Sequence, residues 1–600
     1  MVDYDVVSGE KTVLATRCSF HVVALFLAGL CVLGCGGGKQ ATPGSNTAAT
    51  NGGGENEVTN ELLFSAVSQL DVESLGISTD PESAISLINQ AFVLSTEEMG
   101  EITEAASNSW SGLLSEAERN FASGQEFSTR DGLHMWDALL SRDLAYVASG
   151  SGETELEQAN ALFRFVVRNL SLADRHPSDL PLTLQEIWMA GHATAADRAW
   201  AFGSLLRQLD IDSVVLTPAD GDDAATQPFL VGVMLDGKVY LYDPRLGLAI
   251  PSADGSSTAT LSEVLAQPEL LSALSVSDGR PYPLTAEQLK TARVMLIGDS
   301  AYWALRMRAL EKAFIGNDRV RLYDGLQDDA DQPGLVSRVV QAGGDLWDRE
   351  SVSVWDYPES QLAGHASMSL SQQDALRTVK DSWKAGWQEE GDDFSRQDGV
   401  TSASQFAARL RQLMGDYQGA IKLYVQIGKT NRDFQKLQKG EVVPQLFPQQ
   451  DEGIGFDEGE QAEKIRKMEN TKRFADFENR PKAEKEAMLK GLAQYHANKI
   501  RQYRSAANDA AYWVGLCQFE LDKIPASKNT FELYLKSYPA GSWTTASRYG
   551  IALGQAAEGD YAAAAETLVA TPKSDPAYDG HQVQSRLWKQ RAEAAVDSEK

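Results

Sequence analysis

The chain has 600 residues, too many for a single hydrophobic core, so we expect roughly three to five domains. Its hydrophobic share of 43% and charged share of 23% exclude a disordered chain and a multi-span membrane protein. The net charge of −29 argues against nucleic acid as a partner, because an acidic surface repels phosphate.

The N-terminal residues have the pattern of a secretion signal. Lys11 and Arg17 precede an apolar run, 22–33, that is shorter than the ~20 residues of a membrane-spanning helix. The run ends in Gly34-Cys35, which resembles the lipobox of bacterial lipoproteins. The resemblance implies a signal peptide over 1–34, a lipid on Cys35, and a place in the bacterial cell envelope, periplasmic or outer face, held to a membrane through that lipid only. An ordinary cleaved secretory signal is the alternative.

Two segments follow the anchor. Residues 35–60 are rich in Gly, Ser, Thr and Asn and are predicted to form a flexible tether. From 61 to 150, apolar residues recur at three- and four-residue spacing, which predicts a helical segment. Beyond Cys35 the only cysteine is Cys517, so an intramolecular disulfide framework is excluded, and its apolar helical context predicts a buried, inert thiol.

The next segment, 151–284, changes pattern. A helix over 200–209 is followed by a predicted strand over 213–217. Two more strands, 229–235 and 239–242, are joined by Asp236-Gly237, which is typical of a tight hairpin turn. The segment is therefore predicted to be α+β.

The helix and hairpin, over 150–255, resemble the core of the transglutaminase-like superfamily. The resemblance rests on the helix start at 193–199, on the hairpin, and on the ending Asp243-Pro244. It implies a papain-like α+β domain in which a cysteine at the helix N-terminus, a histidine on the hairpin and an aspartate form the catalytic site.

This chain departs from that catalytic pattern. The cysteine position falls on Ala195 and the histidine position at or beside Pro228, so only Asp243 remains. No cysteine lies between Cys35 and Cys517, and no histidine lies between residues 192 and 365. The family's cysteine and histidine are therefore missing even if the alignment is shifted. We predict no catalytic residues of the family type.

Three other residues are candidates for a cleft at the helix start: His192, Asp197 and Arg207. Structural roles are favoured for them. Asp197 is predicted to cap the helix and to pair with Arg198 or Arg207, and Asp243 to cap the turn at Pro244. His192 is interpreted as a turn residue at the surface or a cap.

Residues 285–369 are predicted to be a small α/β segment with strands over 319–323 and 351–355, either extending the preceding domain or separate from it. Within it, Gly298-Asp299-Ser300 resembles the nucleophile block of GDS-type serine hydrolases, but the later Asp-x-x-His of that family is missing. A helix N-cap by Asp299 or Ser300 is the preferred interpretation. The histidines lack metal-ligand spacing and no phosphate-binding loop occurs, so neither metal nor cofactor is expected.

The last part, 370–600, is predicted to be helical with an exposed loop at 443–459. The turn-plus-helix signature at 415–421 recurs at 559–564, and both resemble tetratricopeptide repeats, which stack into a concave partner-binding surface. Helical hairpins without a groove are the alternative.

The combined arrangement resembles a family of uncharacterised bacterial lipoproteins. The predicted fold class is α+β multidomain: a helical N-terminal segment, the transglutaminase-like domain and a C-terminal helical repeat region. The predicted function is a non-catalytic scaffold that binds envelope proteins, or else cell-wall polymer. Two alternatives stay open: an envelope hydrolase or peptidase-like enzyme that uses a non-cysteine constellation in the same cleft, and a structural spacer without a ligand.

Overall fold

A computed structural model describes residues 52–70, 81–94, 110, 112–150, 152–176, 179–219, 228–314, 319–328, 332–386, 404–438 and 479–598. The predicted signal peptide, Cys35, the first part of the tether and the loop at 443–459 lie outside these residues. The protein is mixed α+β with a helical C-terminal region. Within the described ranges, no helix combines the length and the apolar character needed to cross a membrane.

The N-terminal part is helical, as its apolar spacing predicts. Its helices are α1 Gly52–Leu70, α2 Glu82–Leu94, α3 Glu116–Ser123, α4 Thr129–Ser149 and α5 Glu155–Asn169. The tether prediction is wrong over 52–60, because α1 begins at Gly52. The C-terminal half of α1 is packed through the buried side chains of Leu63, Ala66 and Leu70. This packing stabilises the helix, which extends toward the N-terminus into the predicted tether.

The α+β region is built on one sheet. Between α5 and the sheet lie β1 Ser171–Leu172, α6 Leu184–Ala190, β2 His192–Ala193 and α7 Ala195–Gln208. The sheet strands are β3 Ser213–Thr217, β4 Leu230–Leu235, β5 Lys238–Asp243, β6 Leu248–Ala249, β7 Arg293–Leu296 and β8 Val352–Val354. Among the described residues these six strands run in the order β6-β5-β4-β3-β7-β8.

The hairpin prediction is confirmed. Strands β4 and β5 pair antiparallel, and Leu235 is opposite Lys238. Asp236 and Gly237 both have positive φ, 51° and 69°, the conformation that a two-residue type I′ turn requires.

Residues 285–369 extend this sheet instead of forming a separate one. Strand β7 pairs antiparallel with β3 and parallel with β8. The helices between and around these strands are α8 Leu261–Ala266, α9 Glu269–Ser272, α10 Ala286–Lys290, α11 Leu305–Ala313, α12 Leu335–Gly343 and α13 Tyr357–Ala366.

The predicted strand at 319–323 is wrong. The backbone N–H of Arg321 donates to the side chain of Gln208 at 3.0 Å, and those of Leu322 and Tyr323 donate to Glu311 at 2.7 and 3.0 Å. These side chains accept the hydrogen bonds that a neighbouring strand would otherwise accept, so the β-rich sequence stays extended without joining the sheet.

The C-terminal region consists of helices that pack in succession. They are α14 Leu370–Trp383, α15 Gln405–Leu413, α16 Tyr417–Gln438, α17 Lys482–Glu520, α18 Ile524–Ser537, α19 Thr544–Ala557, α20 Tyr561–Val569 and α21 Tyr578–Ser598. The two glycines of the repeated signature, Gly415 and Gly559, have φ of +83° and +84° and precede helices that begin at Tyr417 and Tyr561. The prediction of helical hairpins is confirmed. Cys517 is fully buried and burial raises the pKa of its thiol, as expected of an inert cysteine.

Side chains of the helical region are tied to the α+β region by buried contacts. The Arg409 guanidinium donates to the carbonyl oxygens of Asn169 at 2.9 Å and Trp188 at 3.1 Å. The indole of Trp543 stacks on His192 with ring centroids 4.0 Å apart. These contacts bring helical residues to the same end of the molecule as the start of α7.

Candidate functional site

A cleft of about 820 Å³ opens at the N-terminus of α7. Its walls come from the segment after β1, the starts of α7 and β4, the turn after β5, the connection between α9 and α10, the first turns of α13, and the connection between α20 and α21 with the start of α21. It is lined by Leu172, Ala173, Asp174, Arg175, His176, Asp179, Leu180, Pro181, Thr194, Ala195, Ala196, Pro228, Phe229, Arg245, Arg280, Pro283, Tyr357, Gln361, Lys573, Ser574, Asp575, Pro576 and Asp579. The α+β region and the helical region therefore both contribute to it.

Two of the family positions identified in the sequence line this cleft. Ala195 is the first residue of α7, and Pro228 lies two residues before β4. Neither side chain carries a nucleophile or a base. The cleft therefore has apolar side chains at both positions.

Helix α7 begins with a capping box. Thr194 is the N-cap, and its hydroxyl accepts from the Asp197 N–H at 3.1 Å. The Asp197 carboxylate in turn accepts from the Thr194 N–H at 2.7 Å and its hydroxyl at 2.8 Å. The capping role predicted for Asp197 is confirmed.

The predicted pairing of Asp197 with Arg198 or Arg207 is wrong. Arg198 donates to the carbonyl oxygens of Leu170 and Pro244. Asp197, which is fully buried, instead accepts from the Tyr357 hydroxyl at 2.8 Å and from His176 Nε2 at 2.7 Å. Burial, and then the charge of Asp197, raise the pKa of Tyr357, so its hydroxyl keeps its proton and donates.

His176 is the site residue that the sequence reasoning missed. It is only 7% exposed and it lines the cleft. Parallel pairing of β1 with β2 and a hydrogen bond from the Ala173 N–H to the Ala193 carbonyl, 2.8 Å, bring its segment beside the start of α7. A histidine 21 residues before Asp197 in an irregular segment gives no periodic signal by which to find it.

The second ring nitrogen of His176 belongs to a residue that lines the cleft. A carboxylate only accepts hydrogen bonds, so the Nε2 that contacts Asp197 carries a proton and the neutral ring has its lone pair on Nδ1. Among the described residues Nδ1 has no hydrogen-bond partner. The same holds for the N–H groups of Ala195 and Ala196, which lie in the first turn of α7 and line the cleft. The wall thus offers one base and two donors.

Charged side chains of both signs surround this polar centre. Four cationic and four acidic residues line the cleft. Arg280 and Arg245 pair with Asp579 at 2.8 and 3.2 Å, and Asp579 belongs to α21 of the helical region. The charge balance favours an uncharged or mixed-charge ligand over a polyanion.

Asp243 lies beside the cleft and has a structural role. It is 2% exposed, and its Oδ1 accepts from the N–H groups of Arg245 and Leu246, each at 2.8 Å. Its Oδ2 accepts from the Tyr282 hydroxyl at 2.8 Å. The turn-capping role predicted for Asp243 is confirmed.

None of the three predicted cleft residues, His192, Asp197 and Arg207, lines the cleft, and Asp197 only contacts His176 and Tyr357, which do. His192 is stacked on Trp543, and burial lowers its pKa to about 4, so it is neutral at pH 7. Arg207 is at the far end of α7, where its guanidinium carbon lies 3.5 Å from the centroid of the Tyr302 ring and it donates to the Ile297 carbonyl. Almost the whole length of α7, a helix of fourteen residues, separates Arg207 from the cleft at the helix start.

The Gly-Asp-Ser segment forms a second, interior histidine–aspartate pair. His134 Nδ1 lies 3.5 Å from Asp299 Oδ2, and its Nε2 is 2.9 Å from the Leu322 carbonyl. The helix N-cap predicted for Asp299 or Ser300 is wrong, because α11 begins later, with Ala304 as N-cap. The Asp299 carboxylate is already taken by His134 and by the Ala301 N–H at 2.8 Å. In the part of the chain that the structure describes, no cluster of three potential metal ligands occurs.

Comparisons of this chain with protein-family models, with curated proteins and with solved structures found no match.

Proposed function

We propose that this protein is a cell-envelope lipoprotein that binds a segment of another envelope protein in the cleft at the start of α7, without chemical change to it. The observation that carries the proposal is the presence of Ala195 and Pro228 on the wall of an 820 Å³ cleft. That space is within the ~300–1,000 Å³ typical of ligand sites.

The family assignment belongs to the same proposal. Helix α7, the antiparallel strands β3, β4 and β5 and the capped Asp243 turn support a transglutaminase-like core whose thiol has been replaced. The turn glycines Gly415 and Gly559 support tetratricopeptide-like repeats. Lipid attachment at Cys35 rests on the lipobox resemblance, and it provides the envelope location.

A protein segment is favoured over a polyanion because positive and negative side chains line the cleft in equal number. Backbone carbonyls of an extended segment match the N–H donors of Ala195 and Ala196. Arg245 and Arg280 of the α+β region form ion pairs with Asp579 of the helical region. These ion pairs connect the two walls of the cleft.

The test is affinity capture from detergent-solubilised envelopes with the full chain. Ala195→Trp places an indole in the cleft, whereas Ala562→Trp, at an exposed position of α20, is the matched control. We expect one set of proteins to be retained by wild type and by Ala562→Trp and lost with Ala195→Trp. Equal retention by all three proteins contradicts the proposal and favours a structural spacer without a ligand. Retention of cell-wall polymer alone contradicts a protein ligand and indicates that the cleft binds a glycan.

A hydrolase is the second candidate, and the His176–Asp197 pair favours it. In this reaction His176 Nδ1 takes a proton from water as the water oxygen bonds to a substrate carbonyl carbon. The N–H groups of Ala195 and Ala196 stabilise the resulting oxyanion. The bond to the leaving nitrogen or oxygen then breaks, and His176 returns the proton to that atom.

The two candidates are separated by one substitution. Turnover of ester and peptide probes by wild type, lowered by about 10²-fold or more in His176→Ala, favours the hydrolase. Capture that persists in His176→Ala, with no turnover by wild type, favours binding. The folded state of the variant is checked by circular dichroism.

A further inference from the structure

A separate cavity of about 310 Å³ lies on another side of the α+β region. It is enclosed by α5, the turn after β6, α9 and the C-terminal helix α21. Much of its wall is apolar, with Phe163, Leu248, Leu270, Leu274, Leu587 and Trp588. A mostly apolar cavity of this size with a few polar groups is the usual form of a small-molecule site.

Two amide side chains give this cavity its polar character. Gln584 is only 5% exposed, it lines the cavity, and among the described residues its amide has no hydrogen-bond partner. Asn160 also lines the cavity, and its Oδ1 accepts from the hydroxyls of Tyr242 at 3.0 Å and Thr258 at 2.9 Å. No hydrogen bond of the Asn160 Nδ2 group is found among the described residues, so both amides can donate to a molecule in the cavity. A ligand that accepts hydrogen bonds is therefore favoured.

The charged residues that line the cavity indicate the charge of the ligand group that accepts these hydrogen bonds. Arg164 and Arg591 line the cavity, and the Arg591 guanidinium is fixed 4.5 Å over the Tyr561 ring. The acidic lining residue is Asp254, whose carboxylate accepts from Ser252 and Ser256. The lining is thus net cationic in a protein of net charge −29.

We propose that this cavity binds a small monocarboxylic acid with an apolar body. The carboxylate accepts hydrogen bonds from Gln584 and Asn160 in the field of the two arginines, and the body lies against Phe163 and Trp588. At ~30 Å³ per atom-sized group, the volume holds roughly ten non-hydrogen atoms. Octanoate, with eight carbons and two oxygens, matches this size. The site is independent of the cleft and of the function proposed for it.

The test is isothermal titration calorimetry of octanoate into the full chain. We expect saturable binding that is at least about tenfold weaker for octan-1-ol, the loss expected for a hydrogen bond to a charged group. Gln584→Leu should weaken octanoate binding by a similar factor. Gln582→Leu, the same change on the same helix outside the cavity, should leave it unchanged.

A second variant guards against misfolding. Leu587→Trp fills the cavity from its half-buried wall and should abolish binding with an unchanged circular dichroism spectrum. Absence of octanoate binding to wild type overturns the proposal. Equal binding of octanoate and octan-1-ol, or equal effects of Gln584→Leu and Gln582→Leu, overturns it as well.

Discussion

Among the described residues, two histidine–aspartate pairs, His176–Asp197 and His134–Asp299, differ in what surrounds the imidazole. His176 contacts Asp197 on the wall of the cleft, with Nδ1 left without a partner among the described residues. His134 contacts Asp299 in the interior, and its other nitrogen is bonded to the Leu322 carbonyl. The same two residue types thus give one imidazole that can meet a ligand and one that cannot.

The interior pair also shows why the Gly-Asp-Ser segment is not a nucleophile block. Ser300 is fully buried, and its N–H donates to the Glu359 carboxylate at 3.0 Å. Glu359 is in turn bonded to Arg130. A serine inside this network is out of reach of a substrate, so access and not residue type distinguishes the two pairs.

The largest expected effect comes from removing each imidazole. His134→Ala removes the cationic partner nearest to the buried Asp299 charge, which keeps the Ala301 N–H, and should destabilise α4 by about 3–5 kcal/mol. His176→Ala should cost about 1–2 kcal/mol, because Asp197 keeps Tyr357 and Thr194 and water can enter from the cleft. Native-state hydrogen exchange of the amides in α4 and α7 measures both. Equal losses of stability in the two variants would contradict the argument that the surroundings of the two imidazoles differ.

The interior pair should also make stability depend on pH, which is a smaller effect. Burial is the largest influence on the pKa of His134 and lowers it, but the charge of Asp299 and the hydrogen bonds to Asp299 and Leu322 together raise it more, so the net shift is upward. A raised folded pKa means that the contribution of His134 is complete below its unfolded pKa of ~6.5 and is lost as pH rises through the folded value.

We therefore expect the destabilisation caused by His134→Gln to be greatest near about pH 6 and to shrink toward about pH 9. Urea unfolding of wild type and variant at each pH measures it. Burial raises the pKa of neighbouring Asp137 to about 8, which also lowers stability as pH rises, and the charge of His134 opposes that shift, so the variant reports on the two groups together. A destabilisation that grows with pH would reverse the assigned direction.

The elements of the α+β core were predictable because their signals are local. The predicted strand over 213–217 has the bounds of β3, and Asp236-Gly237 set the register of the hairpin. The sequence wrongly predicted a strand over 319–323, because the side chains of Gln208, which is distant in sequence, and of Glu311 take the backbone hydrogen bonds of this segment.

The candidate site was predictable only in part, for the same reason. Ala195 and Pro228 could be placed from spacing along the helix and hairpin. His176 could not, because a parallel pairing of two-residue strands brings it to Asp197. His192 was adjacent in sequence to the helix start, yet its ring packs on Trp543, more than 300 residues away in sequence. Sequence proximity therefore misidentified the cleft histidine.

The smallest expected effect is that of Ser300→Ala. The Ser300 hydroxyl is buried and, within the described residues, it has no hydrogen-bond partner. A hydroxyl in that state is desolvated without compensation, so its removal should be neutral or should stabilise the protein by up to about 1 kcal/mol. Hydrogen exchange of α4 and any hydrolytic turnover are measured together. Lost turnover in Ser300→Ala, with stability unchanged, would make the interior pair the functional one and reverse the comparison.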